Sequence, residues 1–303
     1  MWFEILRRYR RFYKNYYSVL LSILLKKRAL MVMPNNTRFF SEDSIMKRFV
    51  VSRNLAISMT HIEKMESKIR NIRINNKESK FAFEFLGKNL TFIDGIFNGD
   101  IEGVFFNESY SQLNVKNKCV IDVGASIGDS ALYFLAKGAY AVFAFEAYPF
   151  TYSKLLENIQ DNGADDKVKC YNLACGKDEE LILDADYKSD GSDAVKQFKQ
   201  GQNVKSLSLN NVISKVEDGG TSPFSMKIDC EGCEYELILN AQDKIFDDIQ
   251  EFFIEYHYGY EDIKKKLESN SYTVSYSEPT NDNNPKHPKK GKLGTIYARK
   301  EAV

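Results

Sequence analysis

Lys118–Ser130, KCVIDVGASIGDS, is the stretch that decides the fold. Cys119, Val120 and Ile121 form a short apolar run of the kind buried on both faces of a parallel sheet. Asp122 follows the run, and Gly124 and Gly128 come next at a G-x-x-x-G spacing. Lacking Cβ atoms, these glycines let the backbone turn sharply and approach a ligand closely. Asp129 or Ser130 is placed to cap the helix that continues through Leu132, Tyr133, Leu135 and Ala136 to Gly138. Strand, glycine loop and helix are the opening of a doubly wound α/β sheet, with its ligand at the carboxyl end of the strand.

Spacing and the next acid decide which ligand. A dinucleotide site uses G-x-G-x-x-G, because amides at the helix start cradle a pyrophosphate. Here the spacing differs, and Asp122 and Asp129 flank the loop. Two carboxylates repel a pyrophosphate but suit a cationic sulfonium that carries an ammonium group. Tyr140–Phe145 reads as a second buried strand and ends in Glu146, where an acid can accept both hydroxyls of a ribose. Together these features point to S-adenosylmethionine.

Beyond them, Thr151–Gln160 reads as a helix closed by Asn162 and Gly163, and Val168–Ala174 as a third strand. Leu181–Leu183 is an added strand and Leu209–Val216 a helix. Met226–Asp229 is a fourth parallel strand, followed by a helix through Tyr235–Leu239. Glu251–Tyr256 is a fifth strand and Ile263–Leu267 a helix. Tyr272–Tyr276 and Gly294–Arg299, joined by a polar loop without a helix, are expected to form an antiparallel pair. Upstream, the apolar pattern between Ser41 and Lys80 suits one or two amphipathic helices. Phe81–Phe106 alternates aromatic and turn residues, which suggests short antiparallel strands leading into the main sheet.

IDVGASIGDSALYF, AFEAYPFTYSKLLENI, MKIDCEGCEYELI and FFIEYHYGY resemble the FkbM family of class I methyltransferases. The resemblance runs from about Phe81 to Arg299 and is dense from Val120 to Tyr260. Its most specific part is the D-x-E-G-x-E run at Asp229, Glu231, Gly232 and Glu234. It implies a Rossmann-like class I methyltransferase fold, a mostly parallel doubly wound sheet with an antiparallel last strand pair. It also implies methyl transfer from S-adenosylmethionine, usually to oxygen, on a sugar, lipid or other small-molecule acceptor. On this reading residues 1–80 form a helical, basic and aromatic amino-terminal extension, and 81–303 the methyltransferase domain.

The cofactor residues follow by position. Asp122 is expected to reach the methionyl amino group, Gly124, Ser126 and Gly128 to line the loop, and Glu146 to hold the ribose. Ala147 and Tyr148 lie near the adenine, with Tyr148 as a stacking partner, and Ala174 near its edge. Removing a hydroxyl proton needs a base. Asp229, at the end of the fourth strand, is the first choice for that base or for a group orienting the acceptor. Glu231 follows it, and Glu234 suits a structural place at a helix start. Glu255 and His257 end the fifth strand and point to the same side of an extended chain. His257 is the alternative base. A divalent cation on Asp229, Glu231 and Glu255 is chemically conceivable, but no metal is expected. The C-x-x-C of Cys230 and Cys233 reads as packing behind the site, with a redox pair as the alternative.

Composition bounds the alternatives. Over 303 residues, 42 Lys and Arg balance 42 Asp and Glu, which argues against a nucleic-acid partner. Five cysteines suggest reduced thiols in a cytoplasmic protein. Met1–Arg28 is locally basic and aromatic, and its apolar core Val19–Leu25 is too short to span a bilayer, for which about 20 residues are needed. Peripheral contact with an anionic membrane is expected there. Two other readings fit parts of the chain: an NAD(P)-dependent oxidoreductase, disfavoured by the glycine spacing, and a non-catalytic membrane-associated binding module.

Overall fold

The computed structural model describes residues 10, 13–25, 29–32, 38–41, 69–75, 80–93, 101–187, 195–280 and 292–301. Contacts divide the chain into two units, Met1–Asn107 and Glu108–Val303.

In the first unit, α1 (Tyr16–Leu24) precedes an antiparallel pair, β1 (Ala29–Val32) and β2 (Arg38–Ser41). The Asn15 side chain fixes this corner, donating to Leu30 O at 2.6 Å and accepting from the Val32 amide at 2.9 Å. A separate antiparallel sheet follows from β3 (Ile69–Asn75), β4 (Lys80–Phe85) and β5 (Lys88–Ile93). Leu86 and Gly87, both at positive φ, make the two-residue turn that matches strand twist in a hairpin. Phe83, Phe85 and Phe92 pack on Phe105 with ring centroids 5.0, 5.2 and 5.5 Å away.

Two expectations change here. Strands β4 and β5 pair with β3 in their own three-stranded sheet instead of leading into the main one. The helices expected over Ser41–Lys80 fall largely on residues 42–68 and 76–79, outside the described residues, while 69–75 is a strand. The Ile69–Ile72 interval resembles a helical spacing because a β-bulge shifts the register between Arg70 and Arg73. Most of Met1–Arg28 is likewise outside the described residues. Among the described residues no helix is long and apolar enough to cross a membrane.

The second unit carries the sheet foreseen from Cys119. Its parallel strands are β6 (Cys119–Val123), β7 (Ala141–Phe145), β8 (Val168–Tyr171), then β12 (Phe224–Ile228) and β13 (Ile249–Tyr256). Antiparallel strands β14 (Thr273–Tyr276) and β15 (Gly294–Arg299) close one edge, in the order β8-β7-β6-β12-β13-β15-β14. Every residue of β6 and of β12 is buried, as parallel strands covered on both faces require. Helices α2 (Asp129–Ala136), α3 (Pro149–Asp161), α4 (Leu209–Glu217), α5 (Glu234–Leu239) and α6 (Glu261–Ser269) complete the layers. Val212, Ile213, Leu237, Ile238, Ile263 and Leu267 join Val123, Phe145, Ile228 and Ile254 in one core.

Three local details depart from the sequence reading. The third strand stops at Tyr171, where the Asn172 side chain turns across to donate to Glu146 O at 3.0 Å and Ala147 O at 2.9 Å. Ala174 instead opens β9 (Ala174–Cys175), which pairs with β11 (Gln202–Leu207), a strand for which the sequence reading has no counterpart. Strand β10 (Glu179–Leu183) completes that small sheet. Finally, Gly128 at φ 88° is the N-cap of α2, with no side-chain cap. Ser130 does not cap because its hydroxyl donates to Asp122 Oδ2 at 2.6 Å.

Candidate active site

Strand order reverses between β6 and β12, so a crevice opens outside their carboxyl ends. Gly124 and Asp229 meet at that point. The Asp229 amide donates to Val123 O at 3.1 Å, and the amides of Gly124 and Ala125 donate to Phe145 O at 3.0 and 2.9 Å. A Cβ on Gly124, which sits at φ +74°, would run into the Asp229 carbonyl oxygen. The glycine is therefore required by backbone packing as well as by its φ.

A cavity of about 560 Å³, counted out to its open mouth, lies over this junction. Gly124, Ser126, Glu146, Ala147, Tyr148 and Ala174 line one side, and Asp229 and Glu231 the other. Glu146 is nearly buried, and its two oxygens accept the amides of Ser126 at 3.0 Å and Tyr148 at 2.9 Å. Burial pushes its carboxyl up to about 7, against those hydrogen bonds and the charge of Lys227. A carboxylate held by two amides in a cavity wall retains lone pairs for a diol, which fits the ribose expected there. Tyr148 lines the cavity with a buried ring 5.1 Å from that of Tyr187, and its hydroxyl accepts the Lys196 amide at 3.2 Å.

Two of the expected cofactor residues do not line the cavity. Asp122 is fully buried beneath the loop, committed to Ser130 and, at 3.2 Å, to Lys227 Nζ. Gly128 caps α2, and a Cβ there would press on Leu155 Cδ1 at 2.7 Å, so its lack of a side chain serves the packing of α3.

Lys227 is the charge at the base of the site, only 1% exposed on an all-buried strand. Its ammonium donates to Gly124 O at 2.6 Å and Val123 O at 3.2 Å, and lies 4.0 Å from Asp229 Oδ2. Burial works against that charge, but Asp122, Asp229 and Asp129 outweigh it and hold Lys227 above its ordinary value. Burial raises Asp129 to about 7, opposed by Lys227. The lysine also sits over the Tyr110 ring, 5.5 Å from its centroid. Tyr110 donates its hydroxyl to Asp229 Oδ2 at 2.9 Å.

On the other side of Asp229 the loop Cys230–Cys233 curls through Glu231 and Gly232, at φ 62° and 125°. That curl brings Cys230 and Cys233 to a Cα separation of 5.5 Å, and they form a disulfide. This corrects the expectation of five reduced thiols. Cys119, Cys170 and Cys175 remain free. Glu234 is fully buried and accepts the Gly232 amide at 2.9 Å, the His257 amide at 3.1 Å and the His257 Nδ1 hydrogen at 2.9 Å. His257 Nε2 lies 3.2 Å from Glu231 Oε2 and 3.9 Å from Glu255 Oε1. Burial of the ring favours its neutral form, but the hydrogen bond to Glu234 and the charges of Glu234, Asp229 and Glu255 raise its pKa. The negative charge of Asp229, followed by burial, lifts Glu255 to about 8. His257 is 1% exposed and does not line the cavity, so it faces carboxylates and not the open space.

A sequence profile described as the methyltransferase FkbM domain matches residues 122–274, half of the chain. The chain belongs to the FkbM methyltransferase domain family. A 41-residue stretch is 49% identical to "Uncharacterized protein 158B" of Sulfolobus islandicus rod-shaped virus 1, covering 14% of this chain and 26% of that protein. The chain thus spans about a quarter of the length of the curated relative it matches. Similar solved structures include M. jannaschii TYW2 in complex with AdoMet, 17% identical over 76% of this FkbM-family chain and 90% of that one, TM-score 0.39. M. capricolum TrmK in complex with S-adenosyl-homocysteine is 13% identical over 65% and 68%, TM-score 0.40. Precorrin-6y C5,15-methyltransferase of Geobacter metallireducens GS-15 is 14% identical over 64% and 86%, TM-score 0.36. These likenesses are distant, and the class I architecture of this FkbM domain stands on its own strand order.

Tyr110 and Lys227 have no place in the sequence reading of the site. Tyr110 carries no local signal. Lys227 does: a lysine between Met226 and Ile228 in a strand buried on both faces must find a charged partner.

Proposed function

We propose that this FkbM-family chain transfers a methyl group from S-adenosylmethionine to a hydroxyl of a sugar, lipid or other small-molecule acceptor. The observation that carries the reading is Glu146, buried and held by the Ser126 and Tyr148 amides in the wall of a cavity that Asp229 faces from the other side. S-adenosylmethionine, when bound, supplies an electrophilic methyl group. Glu146 accepts the ribose hydroxyls, and the Gly124 loop, anchored from beneath by Lys227, presents its backbone to the methionyl part. Tyr110 takes Asp229 Oδ2 and leaves Oδ1 to meet the acceptor hydroxyl, to orient it and draw on its proton. Orientation of this kind can contribute roughly 7–11 kcal/mol to lowering a barrier. The balance of 42 basic and 42 acidic residues supports a small acceptor over a nucleic acid. The basic, aromatic composition of Met1–Arg28 supports peripheral contact with anionic membranes.

Calorimetric titration with S-adenosylhomocysteine and, separately, with NAD tests the cofactor. Micromolar binding of the first and none of the second is the expected result. Binding of NAD alone would replace this reading by the oxidoreductase one. Labelled methyl transfer to RNA but to no hydroxyl acceptor would overturn the acceptor assignment.

A further inference from the structure

We propose that the carboxyl ends of β12 and β13 form a divalent-cation site, with Asp229, Glu255 and His257 as the protein ligands. It rests on the methyl-transfer reading above and specifies how the acceptor is held. One carboxylate oxygen from Asp229, one from Glu255 and a ring nitrogen of His257 all lie within 4.8 Å of one another. Two ligand atoms on a single cation, with bonds of about 2.0–2.6 Å, stand roughly 3–5 Å apart.

Carboxylates gathered at a strand edge would carry little by themselves. The imidazole makes this set specific. His257 is 1% exposed, and its ring is held from behind by Glu234, which is fully buried. Glu234 also accepts the amides of His257 and Gly232, so its carboxylate acts as an acceptor throughout and the ring hydrogen on that side belongs to Nδ1. Nε2 is thereby aimed at oxygen: Glu231 Oε2 at 3.2 Å and Glu255 Oε1 at 3.9 Å. A ring nitrogen facing carboxylates needs positive charge between them, either a proton or a metal ion. An imidazole that donates one nitrogen to a carboxylate and turns the other toward oxygen ligands has the orientation of a metal-binding histidine.

The other members are prepared in a similar way. Tyr110 donates to Asp229 Oδ2 at 2.9 Å and so fixes that carboxylate. The Asp229 and Glu255 side chains are 22% and 31% exposed, which leaves an entry path. Asp229 also lines the cavity, so the cation sits where an acceptor oxygen would enter. There it would bind that oxygen, lower its pKa and orient it, acting as a Lewis acid. Asp229 then orients the acceptor through the cation instead of acting alone as its base. One imidazole and two carboxylates suit Mn²⁺ or Zn²⁺ better than Ca²⁺.

The test uses the full chain stripped with a chelator and titrated with Mn²⁺, followed by electron paramagnetic resonance and calorimetry. S-adenosylhomocysteine affinity is measured in parallel on the same samples. One Mn²⁺ per chain at micromolar affinity, displaced by Zn²⁺, is expected. Asp229→Asn and Glu255→Gln should each weaken Mn²⁺ at least about tenfold while S-adenosylhomocysteine still binds. Glu255→Gln is the safer variant, since it keeps the shape of a partly exposed side chain, and a melting curve confirms that it folds. Absence of Mn²⁺ binding by the wild-type chain overturns the proposal, as does unchanged binding in both variants. Mn²⁺ bound as expected without any S-adenosylhomocysteine affinity would keep the cation site and remove the methyl-transfer reading.

Discussion

The two sides of the cavity are built from different materials. On the side of Gly124 and Glu146 the main chain does most of the work: a glycine pressed on the Asp229 carbonyl, a loop hung from Phe145 O, and amides of Ser126 and Tyr148 on Glu146. On the other side, side chains do it: Asp229 and Glu231 line the cavity, and Tyr110, Glu255 and His257 meet them from separated parts of the chain. A backbone surface suits a ligand shared by a whole family, because its shape survives most substitutions. A surface of side chains can be rewritten one residue at a time, which is where a change of acceptor would be made.

Lys227 belongs to both sides, and breaking it should have the largest effect. Lys227→Met strands Asp122 in a fully buried position, and removal of one partner from such a pair costs about 3–5 kcal/mol. A melting temperature within a degree or two of wild type would refute that. Gly124→Ala should come next, since neither the positive φ nor the overlap with Asp229 O can relax through a side chain. Strain and overpacking together put it at about 2–4 kcal/mol, read as lost S-adenosylhomocysteine affinity and a lower melting temperature.

Glu146→Gln should weaken that affinity by about 1.5–3 kcal/mol, the range for hydrogen bonds to a charged group. The pH profile sharpens the same point. With Glu146 raised from 4.5 to about 7, the folded free protein holds the proton more tightly than the unfolded chain. Its contribution to stability is therefore present at low pH and lost as pH rises from about 4.5 to 7. Ribose hydroxyls need the ionised form, so affinity should climb by up to about tenfold per pH unit below 7 and level off above it. Glu146→Gln should flatten that climb. The smallest effect should be Tyr148→Phe, at about 0.5–1.5 kcal/mol for its bond from the Lys196 amide. Tyr110→Phe, by contrast, should lower turnover and leave S-adenosylhomocysteine affinity alone. If it weakened the cofactor as much as Glu146→Gln does, the division into two sides would fail.

That division also marks what the sequence makes legible. The glycine loop, Glu146 and the order of parallel strands are local features, written in spacing and apolar runs within a few residues. Tyr110 and Asp229 are 119 positions apart, and Lys227 and Gly124 are 103. No periodicity reports such a pairing, and only the sheet brings the partners together. Asp122 shows the opposite difficulty: its position at the end of β6 is readable, but Ser130 and Lys227 claim it first. Strand β3 was obscured because a bulge made its spacing resemble a helix, and the Cys230–Cys233 bond depends on two positive φ angles between them.

The depth of Lys227 also bears on ionic strength. Mobile ions screen charges that meet solvent, over about 8–10 Å at ordinary salt, and reach buried pairs far less. The Lys177–Glu236 pair, with side chains 62% and 43% exposed, should fade in concentrated salt. The Lys227–Asp122 pair, at 2% and 0%, should not. The floor of this active site thus carries its own counter-ion, and the loop above it should keep its shape in brine as in dilute buffer.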